Sequence, residues 1–326
     1  MIVADDNYKA VWNARSTTLA AGMQAVDGSA DEDVLAATGA FSAKQVSAAL
    51  ELAGSDRVFE IGCGVGRIAA ALVGQIAHWH GLDIAENMAR LARERLAGVG
   101  NIEASAVDGP NLRPLAEASM DKGYCVAVFI HMDKEDMNLY LREVARVLKP
   151  GGLFYFDVWN LAHPVGWQRF AYEVDQIGRS DPALRKDVAR NQFCTPEEVR
   201  LYVRAAGLEP VFEHSDSPWV QMVVRRPESA SVAVPSAAAI DPVTLSPAAA
   251  AVAARLAAAR ADIACSPRWA TLFAEACAVL IGGQHPETVL VRWRDLPANE
   301  PEPALFIAWL EAIWQRHPHL WPPLAT

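Results

Sequence analysis

The stretch VFEIGCGVGRIAAAL, residues 58–72, sets Gly62, Gly64 and Gly66 two apart behind an apolar run, with Glu60 two residues before the first. Glycine serves where backbone must turn tightly or let a ligand come close. The loop also opens a helix-like run, and the free N–H groups at a helix N-terminus favour an anionic or polar group. The chemistry this spacing offers is capture of a ligand by backbone. A dinucleotide fingerprint needs G-x-G-x-x-G. Gly62 and Gly64 fill its first two places, but Arg67 stands in the third.

Something must hold that loop, and the chain around it alternates strand-like and helix-like runs. RVFEI, WHGLDI, NIEASAVDG, KGYCVAVFI and LFYFDVW read as five buried strands. RIAAALVGQIA, ENMARLARERLAG (closed by Gly98) and KEDMNLYLREVARVL (capped by Asp133) read as helices between them, with KPGG as a turn. Ahead of these, FSAKQVSAALELAG carries a capping box, Ser42 with Gln45, and Gly54 to end its helix. Such alternation predicts a parallel sheet covered on both faces. TPEEVRLYVRAAGL then reads as a helix with Thr195 as N-cap, Pro196 at its first position and Gly207 as C-cap. EPVFEH and WVQMVVRRP flank SDSP as an antiparallel hairpin. The fold class expected is α/β, a Rossmann-like doubly wound, mostly parallel sheet with a closing antiparallel hairpin.

The organisation expected is a helical lid or cap over 1–54, the sheet domain over 55–227, an Ala/Ser/Pro linker over 228–250 and a small helical unit over 251–326. Residues 160–193 read as an insertion over the sheet edge. Helices are expected in the final unit over AVAARLAAARADIA, PRWATLFAEACAVLIGG and PALFIAWLEAIWQRH. Trp309, Leu310, Ile313 and Trp314 share one helical face, which is either core or a surface for dimerisation or another partner.

Composition narrows the function. With 52% hydrophobic and 21% charged residues the chain of 326 is globular. A net charge of −10 argues against nucleic-acid binding, which draws on a basic surface. The five cysteines show no CxxC spacing, so neither a disulfide framework nor a metal site is expected. The opening MIVADDNYKA is no secretory leader, and no apolar run is long enough for a membrane span. The expectation is a cytoplasmic protein with no membrane contact.

The E-x-G-x-G-x-G pattern resembles the first motif of class I S-adenosylmethionine-dependent methyltransferases. The resemblance runs over about residues 40–226 and includes GLDIAENMARLARERL, AVDG, LREVARVLKPGGLFYFDVWN and FCTPEEVRLYVRAAGLEPV. It implies S-adenosylmethionine as cofactor, with Gly62, Gly64 and Gly66 as the loop. Glu60 would face the methionine ammonium, or else bond the loop's own N–H groups. Asp83 would hold the ribose hydroxyls through charge-assisted bonds, or else cap the next helix, with Ile84 beside it. Asp108 and Gly109 would meet the adenine end, or simply form a turn. Met88 would pack on adenine or in the core. The family often has Ser or Thr after the acid; Ile84-Ala85-Glu86 departs from that and weakens the helix cap.

Methyl transfer from a sulfonium needs chiefly orientation and electrostatics from the protein. His131, directly after the fourth strand, is the candidate base at the edge where parallel sheets bind ligands; His163 and His214 are further histidines. Trp159, His163 and Trp167, with Asn160, are the candidate acceptor site for a small organic molecule. Tyr8, Trp12 and Arg15 fall at helical spacing, as a lid or as ordinary packing. Two other functions compete: a nicotinamide-dependent oxidoreductase, and a non-enzymatic methyltransferase-like scaffold.

Overall fold

The computed structural model describes residues 7–175, 191–228 and 246–263, with part of 268–321. Three helices come first: α1 (Asn7–Ala14), α2 (Leu19–Asp27) and α3 (Glu32–Leu50). Thr18 caps α2 by accepting the Ala21 N–H at 3.2 Å, and Gly28 stops it with φ +76°. Asp31 caps α3, accepting from Asp33 N at 2.8 Å. The expected capping box at Ser42 is therefore not used, because α3 has already begun at Asp31. Ser42 lies mid-helix, where its hydroxyl accepts from Arg67 Nη1 at 3.1 Å. The helix also stops before Gly54, at Leu50, where Glu51 takes the left-handed conformation at φ 53°.

The sheet follows: β1 (Arg57–Ile61), α4 (Ala69–Leu72), β2 (His78–Asp83), α5 (Glu86–Arg95), β3 (Ile102–Ala106), β4 (Met120–Cys125), α6 (Lys134–Val147) and β5 (Leu148–Asn160). After it come α7 (Pro164–Glu173), β6 (Phe193–Cys194), α8 (Pro196–Ala205), β7 (Glu209–His214) and β8 (Trp219–Arg225). The eight strands lie in the order β3-β2-β1-β4-β5-β8-β7, with β6 on β5. Only β8 runs against its neighbours, so the expected mixed sheet with a closing hairpin is present. Thr195 and Glu198 form a full capping box at α8, with Gly207 at φ +79° just beyond its end.

Three expected elements differ. The helix after the glycine loop is only four residues long. The fourth strand starts at Met120 and ends at Cys125, since Phe129–His131 closes as a 3-10 turn. KPGG lies within β5, where Gly151 N bonds Arg226 O at 2.9 Å and the β4–β5 register shifts. Of the expected insertion, α7 and β6 are described, and 176–190 lie outside the described residues.

Each face of the sheet carries an apolar core. On one, Phe59, Ile61, Phe154 and Phe156 pack against Leu141 and Val144 of α6 and Val199 and Val203 of α8. On the other, Val58, Trp79, Tyr124 and Tyr155 pack against Val46 and Leu50 of α3. Each such fully buried side chain contributes roughly 1.5–3 kcal/mol. Gly123 is small because Phe59 lies on it: a Cβ there would sit 2.2 Å from Phe59 Cε1.

The C-terminal part differs from the expected division. A helix α9 (Pro247–Ile263) begins inside the expected linker, of which 229–245 lie outside the described residues. Its Val252 and Leu256 join the core on α3, and Ala48 O accepts from Arg255 Nε at 2.9 Å. By packing, α9 belongs with the sheet. The expected helix over PRWATLFAEACAVLIGG lies largely outside the described residues. An unanticipated helix, α10 (Glu287–Arg294), packs with α11 (Pro301–Arg316). The Trp309 to Trp314 face is core: Leu310 is fully buried, and Trp309 Nε1 donates to Asp27 O at 3.4 Å. Trp309, Ile313 and Trp314 are partly buried against the same cluster.

Candidate active site

The carboxyl ends of β1, β2 and β4 converge where strand order reverses, which is where open α/β sheets bind ligands. A cavity opens there. Its wall includes Glu60, Gly62, Gly64 and Arg67 from the first strand and loop, and Asp83, Ile84 and Met88 from the second strand and its helix. Val126 to Val128, His131, Asp136 and Tyr140 supply the third side, and Tyr8 and Trp12 of α1 the fourth.

The glycine loop is clamped to the end of β2. Gly62 N and Cys63 N both donate to Leu82 O, at 2.7 and 3.1 Å, and Gly64 N donates to Asp83 Oδ2 at 2.9 Å. Gly62 and Gly64 sit at φ +69° and +53°, and a Cβ would meet Val128 at 2.5 Å and Val26 at 2.7 Å respectively. Any side chain is thus excluded on two counts. Gly66 is different: it does not line the cavity, and its Cβ would meet Leu96 Cδ1 at 2.9 Å.

Asp83 accepts from Gly64 N on one oxygen and from Ala85 N at 2.8 Å on the other. Each oxygen keeps a lone pair for a ligand, since an ionised carboxylate accepts at about four sites. Burial pushes its pKa up to about 6, against the two N–H bonds. Glu60 is buried too. Tyr124, its cross-strand partner on β4, donates to Glu60 Oε2 at 2.8 Å, and Trp79 Nε1 donates to Tyr124 at 3.2 Å. Burial raises Glu60 to about 8, while the Tyr124 bond and the Arg67 charge pull the other way. The expected alternative, in which Glu60 bonds the loop's own N–H groups, is replaced by this bond to Tyr124.

Sequence reasoning did not assign a role to Arg67 and Tyr140 of the wall, or to Asp157 behind it. Arg67 lies 3.8 Å from Asp27, whose own pKa burial lifts to about 6. Asp157 on β5 is fully buried, raised by burial to about 7, and accepts from Ala127 N at 2.7 Å. It holds the wall loop at Ala127, which has φ 57°. Tyr140 donates to Gly109 O at 3.1 Å. The signal for Arg67 was its place next to Gly66; Asp157 and Tyr140 carried none, because only strand and helix packing brings them here.

His131 lines the cavity from the turn after β4, and Met88 lines it while being only 1% exposed. Asp108 does not line it: its exposed carboxylate bonds Asn111 Nδ2 at 2.7 Å and pairs with Arg113 at 3.2 Å. Gly109 is also off the wall, though Pro110 is on it. The three expected acceptor residues lie elsewhere. Trp159 stacks on Trp219 across the β5–β8 ladder, centroids 4.4 Å apart. His163 caps α7 by accepting from Val165 N at 3.2 Å. Trp167 is 56% exposed on α7.

Residues 59–156 match the family model described as a methyltransferase domain. Over that stretch the chain is similar to a methyltransferase domain. It also has curated relatives. Over 124 residues the chain is 33% identical to Methyltransferase GfsG of Streptomyces halstedii, covering 37% of this chain and 44% of that protein. Over 164 residues it is 30% identical to the Ubiquinone biosynthesis O-methyltransferase of Bordetella avium (strain 197N), covering 49% and 66%. The chain therefore spans less than two thirds of these relatives' own lengths. The solved CcbJ methyltransferase of Streptomyces caelestis aligns at 20% identity over 58% of this chain and 89% of that one, with a TM-score of 0.44.

Proposed function

We propose that this protein transfers a methyl group from S-adenosylmethionine to a small organic acceptor. The observation that carries the reading is Asp83, a buried carboxylate at the end of β2 whose two oxygens are each fixed by one backbone N–H and face the cavity. A pair of vicinal hydroxyls matches that acceptor pair. The donor set fits the rest of the cofactor as well. Asp83 supplies negative charge and Glu60 a buried carboxyl acceptor for a ligand with an ammonium and a sulfonium, Arg67 faces a carboxylate, and Ile84 and Met88 give apolar surface for a base.

Bound S-adenosylmethionine supplies a methyl group on a positively charged sulfur. The chain's own work is then to bind, orient and exclude water. Trp12 and Tyr8 narrow the cavity on the side of His131. His131 is the group that accepts a proton from an oxygen acceptor. Relatives whose names specify O-methylation support an oxygen nucleophile. A concave cavity with aromatic walls, and a net charge of −10, support a small molecule rather than a nucleic acid. Among the described residues no helix is long and apolar enough to cross a membrane, and Cys63, Cys125 and Cys194 are free thiols. Both agree with a cytoplasmic protein.

Incubation with methyl-labelled S-adenosylmethionine and fractionated small-molecule extracts tests the reading. Label is expected in a small product only when active enzyme is present. Label appearing solely in protein or nucleic acid would overturn the small-molecule acceptor.

A further inference from the structure

We propose that His78, His80 and Glu103 form a binding site for one divalent transition metal of the zinc class, joining the edge strand β3 to β2. His78 and His80 stand two apart on β2 and so project from the same face of the sheet. Strand pairing sets His80 directly opposite Glu103. One ligand atom from each of the three lies within 4.8 Å of the other two. His80 Nδ1 is 3.5 Å from Glu103 Oε2, and His78 Nε2 is 3.8 Å from Glu103 Oε1. A tetrahedral zinc with bonds of about 2.0–2.1 Å spaces its ligands roughly 3.3 Å apart. Small side-chain rotations close that gap.

Two further features suit a metal. His80 is buried at 5% exposure, and its other ring nitrogen lies 2.9 Å from Ser105 Oγ. That is the outer partner that fixes ring orientation in histidine metal sites. Glu103 is 63% exposed in its side chain, which leaves open positions for water.

His80 and Asp83 are three residues apart on β2, roughly 10 Å along the strand. The metal therefore stands apart from the ligand cavity and braces the edge strand. The spacing of the cysteines gave no hint of it, because the three ligands meet only through the β2–β3 register.

The test uses the full chain stripped of metal, with cobalt(II) as the spectroscopic probe and zinc(II) as competitor. One saturable equivalent is expected, with visible ligand-field bands and no sulfur charge-transfer band. Affinity should fall at least about tenfold in His80→Ala and in Glu103→Gln, the scale on which even outer partners act. It should rise several-fold in Arg57→Ala, where a repelling cation is removed. S-adenosylmethionine binding, measured alongside, should stay within twofold in each variant. Should His80→Ala not fold, His78→Ala takes its place. A site that does not saturate, that survives with equal affinity in the ligand variants, or that shows thiolate bands overturns the proposal.

Discussion

The Trp12 ring meets the His131 imidazole edge-on, with centroids 5.2 Å apart and planes at 61°. The contact seats α1 against the turn that follows β4. Two other bonds fix the same helix: Asp133 N donates to the Tyr8 hydroxyl at 2.9 Å, and Asn87 N donates to Asn13 Oδ1 at 3.0 Å. α1 thus closes the cavity by holding both of its flanking walls. An aromatic pair of this kind is worth about 0.5–1.5 kcal/mol. Trp12→Ala should therefore weaken cofactor and acceptor binding by roughly 2- to 12-fold. Calorimetry and KM values check this; unchanged values would make α1 ordinary packing.

His131→Gln tests the base. General base catalysis contributes about 10²–10⁴-fold. kcat is expected to fall within that range, with loss of the acidic limb of the pH–rate profile. A fall that leaves the profile intact would reduce His131 to a wall contact.

Glu60 governs a pH dependence of stability. Its pKa in the folded protein is about 8, above the ordinary 4.5, with burial as the first cause. The stability tied to that group is complete below the unfolded value and is lost as pH rises through the folded one. Asp157, at about 7, and Asp83, at about 6, act in the same direction. Tm should fall as pH rises from about 5 to about 8. Glu60→Gln, which keeps an acceptor for Tyr124, should flatten that slope and raise Tm at the upper end. Each kcal/mol recovered moves Tm by roughly 2–4 °C. Parallel curves for parent and variant would refute the assignment.

Gly39 is where α3 touches the loop. A Cβ on it would lie 2.3 Å from Arg67 O, a backbone atom that cannot rotate away. Glycine to alanine in an exposed helix ordinarily gains about 1 kcal/mol. Here Gly39→Ala should cost about 1–3 kcal/mol instead, as overpacking does, and weaken ligand binding as Arg67 shifts. Thermal denaturation gives the sign directly.

The sheet was legible because buried parallel strands read as short apolar runs, and the loop because Gly62 and Gly64 need φ values other residues avoid. Thr195, Pro196 and Gly207 mark α8 by local chemistry alone. What was not legible needed partners distant in sequence. Ser42 looked like a cap but serves Arg67. Trp159 looked free to bind an acceptor, yet Trp219 arrives on β8 to cover it. Asp108 had the family's position, but Asn111 and Arg113 hold it at the surface. Tyr124 reaches Glu60 only because β1 and β4 are neighbours across a long crossover.

Asp83 decides the central claim. Isothermal calorimetry of the full chain should show one S-adenosylmethionine site and no binding of NAD. Hydrogen bonds to a charged group are worth about 1.5–3 kcal/mol, so Asp83→Ala should weaken that site by roughly 10- to 150-fold or more. Binding of NAD in place of S-adenosylmethionine, or an Asp83→Ala variant with undiminished affinity, would contradict the account.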